Sequence, residues 1–157
     1  MKISLQTSRA FTLIEIITVL SIFVILFTIG TYAFINTGNR QRLNTAVDSI
    51  TFKLEEMKAN AISGKGNTNF GVKFNANSYV SFSGASFSTS GPNNVTYPVS
   101  GNFTLSNTIP GPDDAIIFAR ITGTPNTTGD ITLTDSKDPT HPATITIGSL
   151  GDISVVK

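Results

Sequence analysis

The chain contains no cysteine and a single histidine, and only 13% of its 157 residues are charged, with a net charge of +1. The missing cysteine removes disulfides, thiolate metal sites and cysteine nucleophiles together. It leaves the compartment open, because an exported protein can do without disulfides. The scarcity of basic residues excludes a broad basic surface, so nucleic acid is not an expected partner. Proline is confined to one end, with all seven prolines at Pro92 or later. The lone His141, between Thr140 and Pro142, is expected in an exposed loop. It has no acidic and serine partners at a familiar triad spacing. Neither a Gly-x-Ser-x-Gly turn nor a phosphate-binding glycine loop is present, so no enzyme is expected.

What is present falls into three parts. Residues 11–35 are almost wholly apolar, residues 36–63 are mixed and charged, and from Gly64 onward Ser, Thr, Asn and Gly dominate. Ile16 to Ile35 is twenty residues without a formal charge. At a rise of about 1.5 Å per residue, such a helix spans the roughly 30 Å hydrocarbon core of a bilayer. It also satisfies its own backbone there. Lys2 and Arg9 precede the span, which by the positive-inside rule keeps the N-terminus cytoplasmic and exports the remainder. A secretory signal peptide cut near Thr31-Tyr32-Ala33 is the competing reading, but the apolar run is longer than a usual signal core.

Glu15 is the one carboxylate near the start of that run. Locally, Thr12-x-x-Glu15 fits a helix capping box, and an acid in a first helical turn favours the positive end of the helix dipole. A lone carboxylate within a bilayer costs about 2.5–3.5 kcal/mol when central, and less near the interface. Pairing with a cation offsets that cost.

The run Ala10-Phe11-Thr12-Leu13-Ile14-Glu15 resembles the class III signal of type IV pilins and pseudopilins. That signal is a short basic leader, a small residue, then Phe-Thr-Leu-Ile-Glu opening an apolar helix. The resemblance implies that a prepilin peptidase cuts between Ala10 and Phe11 and methylates the new amine of Phe11. It also implies that Glu15 takes the place of the family's glutamate. The freed amine, with a reference pKa near 8, is then mostly cationic and can pair with Glu15 of its own chain or of a neighbouring subunit. Ala10 stands where the family usually has glycine.

In the second part, Leu43, Val47, Ile50, Leu54, Met57 and Ala61 recur at steps of four and three, a helical apolar stripe. The stripe is expected to cover the chain's own head, with a short coiled coil as the alternative. The helix should stop at Gly64-Lys65-Gly66. The two rods together then form one helix of about 53 residues, about 80 Å long, with Gly30 as the best candidate for a local weakening. The third part reads as short strands: Phe70–Phe74, Tyr79–Phe82, Val95–Val99, Asn102–Leu105, Ala115–Ile121, Asp130–Thr134, Ala143–Ile147 and Ile153–Val156. The last four have a spacing suited to an antiparallel meander. Their alternation predicts one wet face and one dry face. The order of these segments is similar to that in H-type minor pseudopilins of type II secretion and their type IV pilus counterparts. The matching stretches are Ile117–Gly123, Gly129–Leu133 and Ile145–Ile153.

The expected fold class is therefore α+β, a pilin-like lollipop with one long helix packed on an antiparallel sheet. Its parts are a leader (1–10), a transmembrane half (11–35) and an amphipathic half (36–63) of the stem, and a β-rich head (64–157). The resemblance implies a structural subunit, a minor pilin or pseudopilin of a type IV pilus or type II secretion-like filament. Its partners would be prepilin peptidase, other pilin or pseudopilin subunits, an inner-membrane assembly platform and membrane lipid. It would be a single-pass inner-membrane protein with an exported head, then part of an extracytoplasmic filament. A major pilin, or a membrane-anchored exported domain that never polymerises, are the alternatives. From Gly64 on, five basic side chains face six acidic ones, which again disfavours DNA. No cofactor is expected. Asp130, Asp135 and Asp138 are weak calcium candidates, more simply read as turn residues. The sequons at Asn94, Asn102 and Asn126 are expected by chance in so Asn- and Thr-rich a segment.

Overall fold

The computed structural model describes residues 11–99, 101–111 and 113–157. The expected leader, residues 1–10 with Arg9 and Ala10, lies outside them. The architecture is α+β: helix α1 (Leu13–Ile62), a 3-10 turn (Lys65–Asn67) and eight strands. The strands are β1 (Phe70–Asn75), β2 (Ser78–Ser83), β3 (Val95–Pro98), β4 (Phe103–Asn107), β5 (Ala115–Phe118), β6 (Gly129–Asp135), β7 (Asp138–Ile147) and β8 (Ile153–Val156). The chain divides into two units between Asn39 and Arg40.

In the first unit, Leu13–Thr31 has a mean hydropathy of 2.6 and none of it is buried within the chain. Its Ser and Thr side chains are satisfied locally. The hydroxyls of Thr18, Ser21 and Thr28 each donate to the carbonyl four residues back, at 2.8 Å. Thr31 donates to Phe27 in the same way. Such back-bonding is how a helix carries Ser and Thr without leaving a hydroxyl unpaired. The helix assignment runs unbroken through Gly30, and nothing lies within 4 Å of where a Cβ there would stand.

In the second unit the expected stripe is the inner face of α1. Leu43, Val47, Ile50, Leu54, Met57 and Ala61 are all buried, and they share one core with both sheets. The helix ends at Ile62 with Gly64 in the left-handed region at φ +67°, where glycine carries no Cβ penalty. The Ala61 carbonyl, in the last turn, accepts from the Gly64 amide at 3.0 Å and also from the Ile121 amide at 2.9 Å.

The strands form two four-stranded antiparallel sheets, β3-β2-β1-β5 and β4-β6-β7-β8, where a single sheet was expected. The difference starts at Ala115–Ile121. That stretch was expected to lead the meander of the later strands. Instead β5 stops at Phe118 and pairs with β1, through Val72 opposite Ile116 and Phe70 opposite Phe118. Ile121 has φ +74° and Gly123 φ +69°, which no strand accommodates, so the chain turns away there. Asn126 then closes the outer edge of β5. Its Oδ1 accepts from the Ile117 amide and its own amide donates to the Ile117 carbonyl, both at 2.8 Å. β4 takes the place beside β6 and is tied back to the first sheet by the Leu105 amide donating to Ala76 O at 2.8 Å.

Alternation holds in the second sheet. Ile131, Leu133, Ala143, Ile145 and Ile147 point inward and are buried, while the threonines between them are at least partly exposed. In the first sheet β5 is buried on both faces. Ile116 and Phe118 join the main core, while Ala115 and Ile117 join Phe82 in a smaller cluster covered by Phe87 from the β2–β3 loop. At the other edge of this sheet is β3. The Val99 amide donates inward to Asn77 O at 3.0 Å, so by strand alternation Thr96 and Pro98 face outward. Pro98 has no N–H to offer there.

The stripe makes a contrast between two neighbouring positions. Leu54→Ala, at a fully buried site, should lower unfolding stability by about 2–5 kcal/mol. Phe52→Ala, on the exposed side of the same helix, should change it by less than about 0.5 kcal/mol. Denaturant unfolding of the two variants in parallel measures this, and equal losses would contradict the assigned face.

Candidate functional site

Two regions stand out by the side chains they bring together. The first is the start of α1. Phe11 and Thr12 precede the helix, and Phe11 is exposed. Thr12 acts as an N-cap: its Oγ1 accepts from the Glu15 amide at 3.3 Å, and its carbonyl accepts from Ile16 at the same distance. Glu15 lies in the first turn, where the helix dipole favours a carboxylate. Its carboxylate makes no ion pair among the described residues. The geometry is that of a capped helix end with a free acid one turn in. Ala10, the other half of the expected cut, lies outside the described residues.

The second is a shallow, open cleft beside β3, lined by Thr45, Ser49, Phe52, Lys53, Tyr79 and Tyr97. Tyr79 and Tyr97 are register partners on β2 and β3 and stack at 5.1 Å between ring centres. The Lys53 ammonium lies 4.5 Å from the Tyr97 ring centre and 2.6 Å from the Glu56 carboxylate. Burial works against the Lys53 charge, but Glu56 and Tyr97 outweigh it and hold its pKa above the ordinary lysine value. Burial pushes the Tyr79 phenol up, opposed in part by Lys53. No local pattern announces this cluster, because Lys53 and Tyr97 are far apart along the chain. The one available signal was Phe52, a large aromatic on the wrong side of the apolar stripe.

The three calcium candidates are dispersed in role. Asp130 Oδ1 accepts from the Thr146 hydroxyl at 2.7 Å. Asp135 is buried at the β6–β7 turn and accepts from the Lys137 amide at 2.9 Å. Asp138 binds the Thr140 hydroxyl at 2.6 Å and His141 Nδ1 at 3.1 Å, and these bonds hold its pKa below the usual carboxylate range. Among the described residues no group of three or more His, Asp or Glu side chains is placed to hold a metal ion. His141 is exposed as expected, but it belongs to β7 and not to a loop. Pro139 and Pro142 are tolerated in that strand because β8 pairs only with Thr144–Ile147, leaving the first half of β7 free on that side.

No protein-family model matches the chain, and no curated protein matches it in sequence. Solved structures do match. The type IV minor pilin FimU of Pseudomonas aeruginosa is 14% identical with a TM-score of 0.58, over 73% of this chain and 93% of that one. The minor pseudopilin EpsH from the type 2 secretion system of Vibrio cholerae is 11% identical with a TM-score of 0.56, over 73% of this chain and 96% of that one. The fold is therefore pilin-like, with one long N-terminal helix followed by a head of antiparallel strands.

The Lys53–Tyr79 pair sets an alkaline limit. Both groups have folded-state pKa values above their ordinary 10.5 and 10.0, so both contribute stability below about pH 10 and lose it as pH rises through the folded values. Tyr79→Phe, which removes the phenol and leaves the partners that raise Lys53 in place, should flatten the fall in stability as pH rises above about 10, read from thermal midpoints. An unchanged slope would remove Tyr79 from the account.

Proposed function

We propose that the chain is a structural subunit of a type IV pilus or type II secretion-like filament, in the role of a minor pilin or pseudopilin. The observation that carries this is the conjunction of two independent signs on one chain. One is the Ala10-Phe11-Thr12-Leu13-Ile14-Glu15 run opening a helix whose Leu13–Thr31 stretch is fully exposed within the chain and apolar enough to cross a bilayer. The other is a head whose fold aligns with those of a minor pilin and a minor pseudopilin. In this reading a prepilin peptidase cuts before Phe11 and methylates it. The leader stays inside, held by Lys2 and Arg9, and the head is exported. The apolar helix rests in the inner membrane until an assembly platform passes it to other pilin subunits.

Glu15 then has a physical role. Its free carboxylate sits on an otherwise apolar helix, and cleavage supplies a cation at Phe11 of its own or a neighbouring chain. An ion pair in such surroundings is costly to break one partner at a time, so it fixes the axial register of neighbouring helices. The head, with a near-neutral surface and no catalytic constellation among the described residues, would provide contacts and not chemistry. Calcium at Asp130, Asp135 or Asp138 stays outside the proposal, because those side chains already bond to their own turns and strands.

Two outcomes test the reading. Mature protein from cells with an active prepilin peptidase should begin at N-methylated Phe11 by intact mass spectrometry. A retained Met1 terminus, or a cut after Ala33, would sink the assignment. Glu15→Ala should insert and be cleaved normally, yet appear in sheared filaments at about one tenth of the wild-type level or less, a loss in keeping with about 1.4 kcal/mol or more at the pairing step. Normal incorporation would take the pairing role away from Glu15.

A further inference from the structure

The first sheet is dry on both faces, and the face turned away from the α1 core has an unusual cover. Two cross-strand rows make up that face. In one, Lys73 stands between Val80 and Ala115; in the other, Gly71 stands between Phe82 and Ile117. Gly71 leaves bare backbone, and the Phe82 ring lies over it: a Cβ there would meet Phe82 Cζ at 2.6 Å. Val80, Phe82, Ala115 and Ile117 are all buried. What lies over the Phe82, Ala115 and Ile117 cluster is neither helix nor sheet but the loop between β2 and β3, residues 84–94.

That loop reaches the face through one large side chain. Phe87 packs on the cluster, with its ring edge-on to Phe82 at 5.3 Å between centres. Around it Ala85, Ser86, Ser88, Thr89 and Ser90 are exposed. From Ala85 to Ser90 no backbone amide donates to either sheet among the described residues. The bonds that shape the loop are mostly its own: the Gly91 amide and Asn94 Nδ2 both donate to Ser88 O, at 3.0 and 2.7 Å. Its ends are tied to the sheet side. The Gly84 amide donates to Asn69 O at 2.9 Å, and Asn93 Nδ2 donates to Ser83 Oγ at 2.9 Å. Lys73 adds the one polar hold on Phe87. Its ammonium lies 4.9 Å from the Phe87 ring centre and donates to Asp113 O at 2.7 Å, so it joins the loop to the turn that leads into β5.

We propose that residues 84–94 are a strap that opens over this face as a unit while the rest of the head stays folded, with Phe87 as the latch and Lys73 as its catch. A segment opens below global unfolding when few apolar contacts and few backbone bonds hold it, and this loop has few of either. Opening gives up one aromatic pair and one cation–π contact. The strand ladders and the α1 core on the opposite face keep the bonds they have. Gly84, at φ +145°, has a backbone that only glycine adopts readily, which suits it to be the hinge. The open strap uncovers Phe82, Ala115 and Ile117, so the head has a polar surface there when closed and an apolar one when open. This inference stands apart from the filament reading and needs no partner chain.

The chain has no cysteine, so a single introduced thiol reports access without interference. The full-length chain in detergent carries either Ala115→Cys, under the strap, or Ala143→Cys, in the main core. A small thiol reagent in native buffer should react at position 115 at least about a hundredfold faster than at 143, because the first needs only the strap to open. Urea should hardly change the rate at 115 and should steeply raise the rate at 143, since only the second exposes a large surface. Phe87→Ala should raise the rate at 115 about tenfold, and Lys73→Gln about threefold. Leu54→Ala should speed reaction at 143 and leave 115 unchanged, because it weakens the open and closed heads alike. Ile117→Cys adds no bulk and reports the same event should Ala115→Cys disturb the fold. Equal rates and equal urea dependence at the two positions, or acceleration of both by Leu54→Ala, overturn the strap. So does reaction at 115 as fast as that of a free thiol, which would leave nothing covered.

Discussion

Val47, Ile50 and Leu54 are completely buried, and the inner residues of both sheets close on them. Removing that stripe would leave two sheets with dry faces and nothing to cover them. Ile116 and Phe118 on β5, and Ile131, Leu133 and Ile145 on β6 and β7, are in the same core only because one helix reaches them all. The tie between Ala61 O and the Ile121 amide, and the bridge of 2.6 Å between Lys157 and Asp48, hold further parts of the head to the same helix. The surface bridge adds little by itself, since exposed ion pairs contribute at most about 1 kcal/mol.

The two parts of α1 meet opposite demands with one backbone geometry. Between Leu13 and Thr31 every described side chain faces outward, and the sequence answers with apolar residues all round and hydroxyls that bond to their own helix. Between Arg40 and Ile62 only one stripe is apolar, because one side meets the sheets and the other meets water. The shift in pattern, from uniform to periodic, is what marks the change of surroundings.

That shift was legible in the sequence, as was the residue set of the stripe and the place of nearly every strand. Short strands bounded by Gly, Asn and Pro leave strong local signals. Their partners were not legible. β5 pairs with β1 across more than forty residues, and nothing local distinguishes that from pairing with β6. Ala115–Ile121 reads as one apolar strand, since isoleucine favours extended backbone. Its last residue instead takes a left-handed turn that only the tertiary tie to Ala61 explains. The stacked Tyr79 and Tyr97 with Lys53 were hidden for the same reason: three unremarkable residues acquire a joint character only when a sheet edge meets a helix. At the N-terminus the reverse holds. There the sequence run carries the proposal, because the cut and the new amine proposed for it are covalent events that a fold does not display.

Pro98 on the outer side of β3 has a consequence for crowding. If copies gather through α1, as proposed, their heads are held together at a local concentration far above that of free protein in solution. Under those conditions an open strand edge would recruit its counterpart on the next head and fuse two sheets into one. Pro98 withholds a donor on one edge of that sheet, and Asn126 occupies the other. Neighbouring heads could then touch through side chains on that side while the first sheet remains its own, so such contacts would stay separable when subunits part.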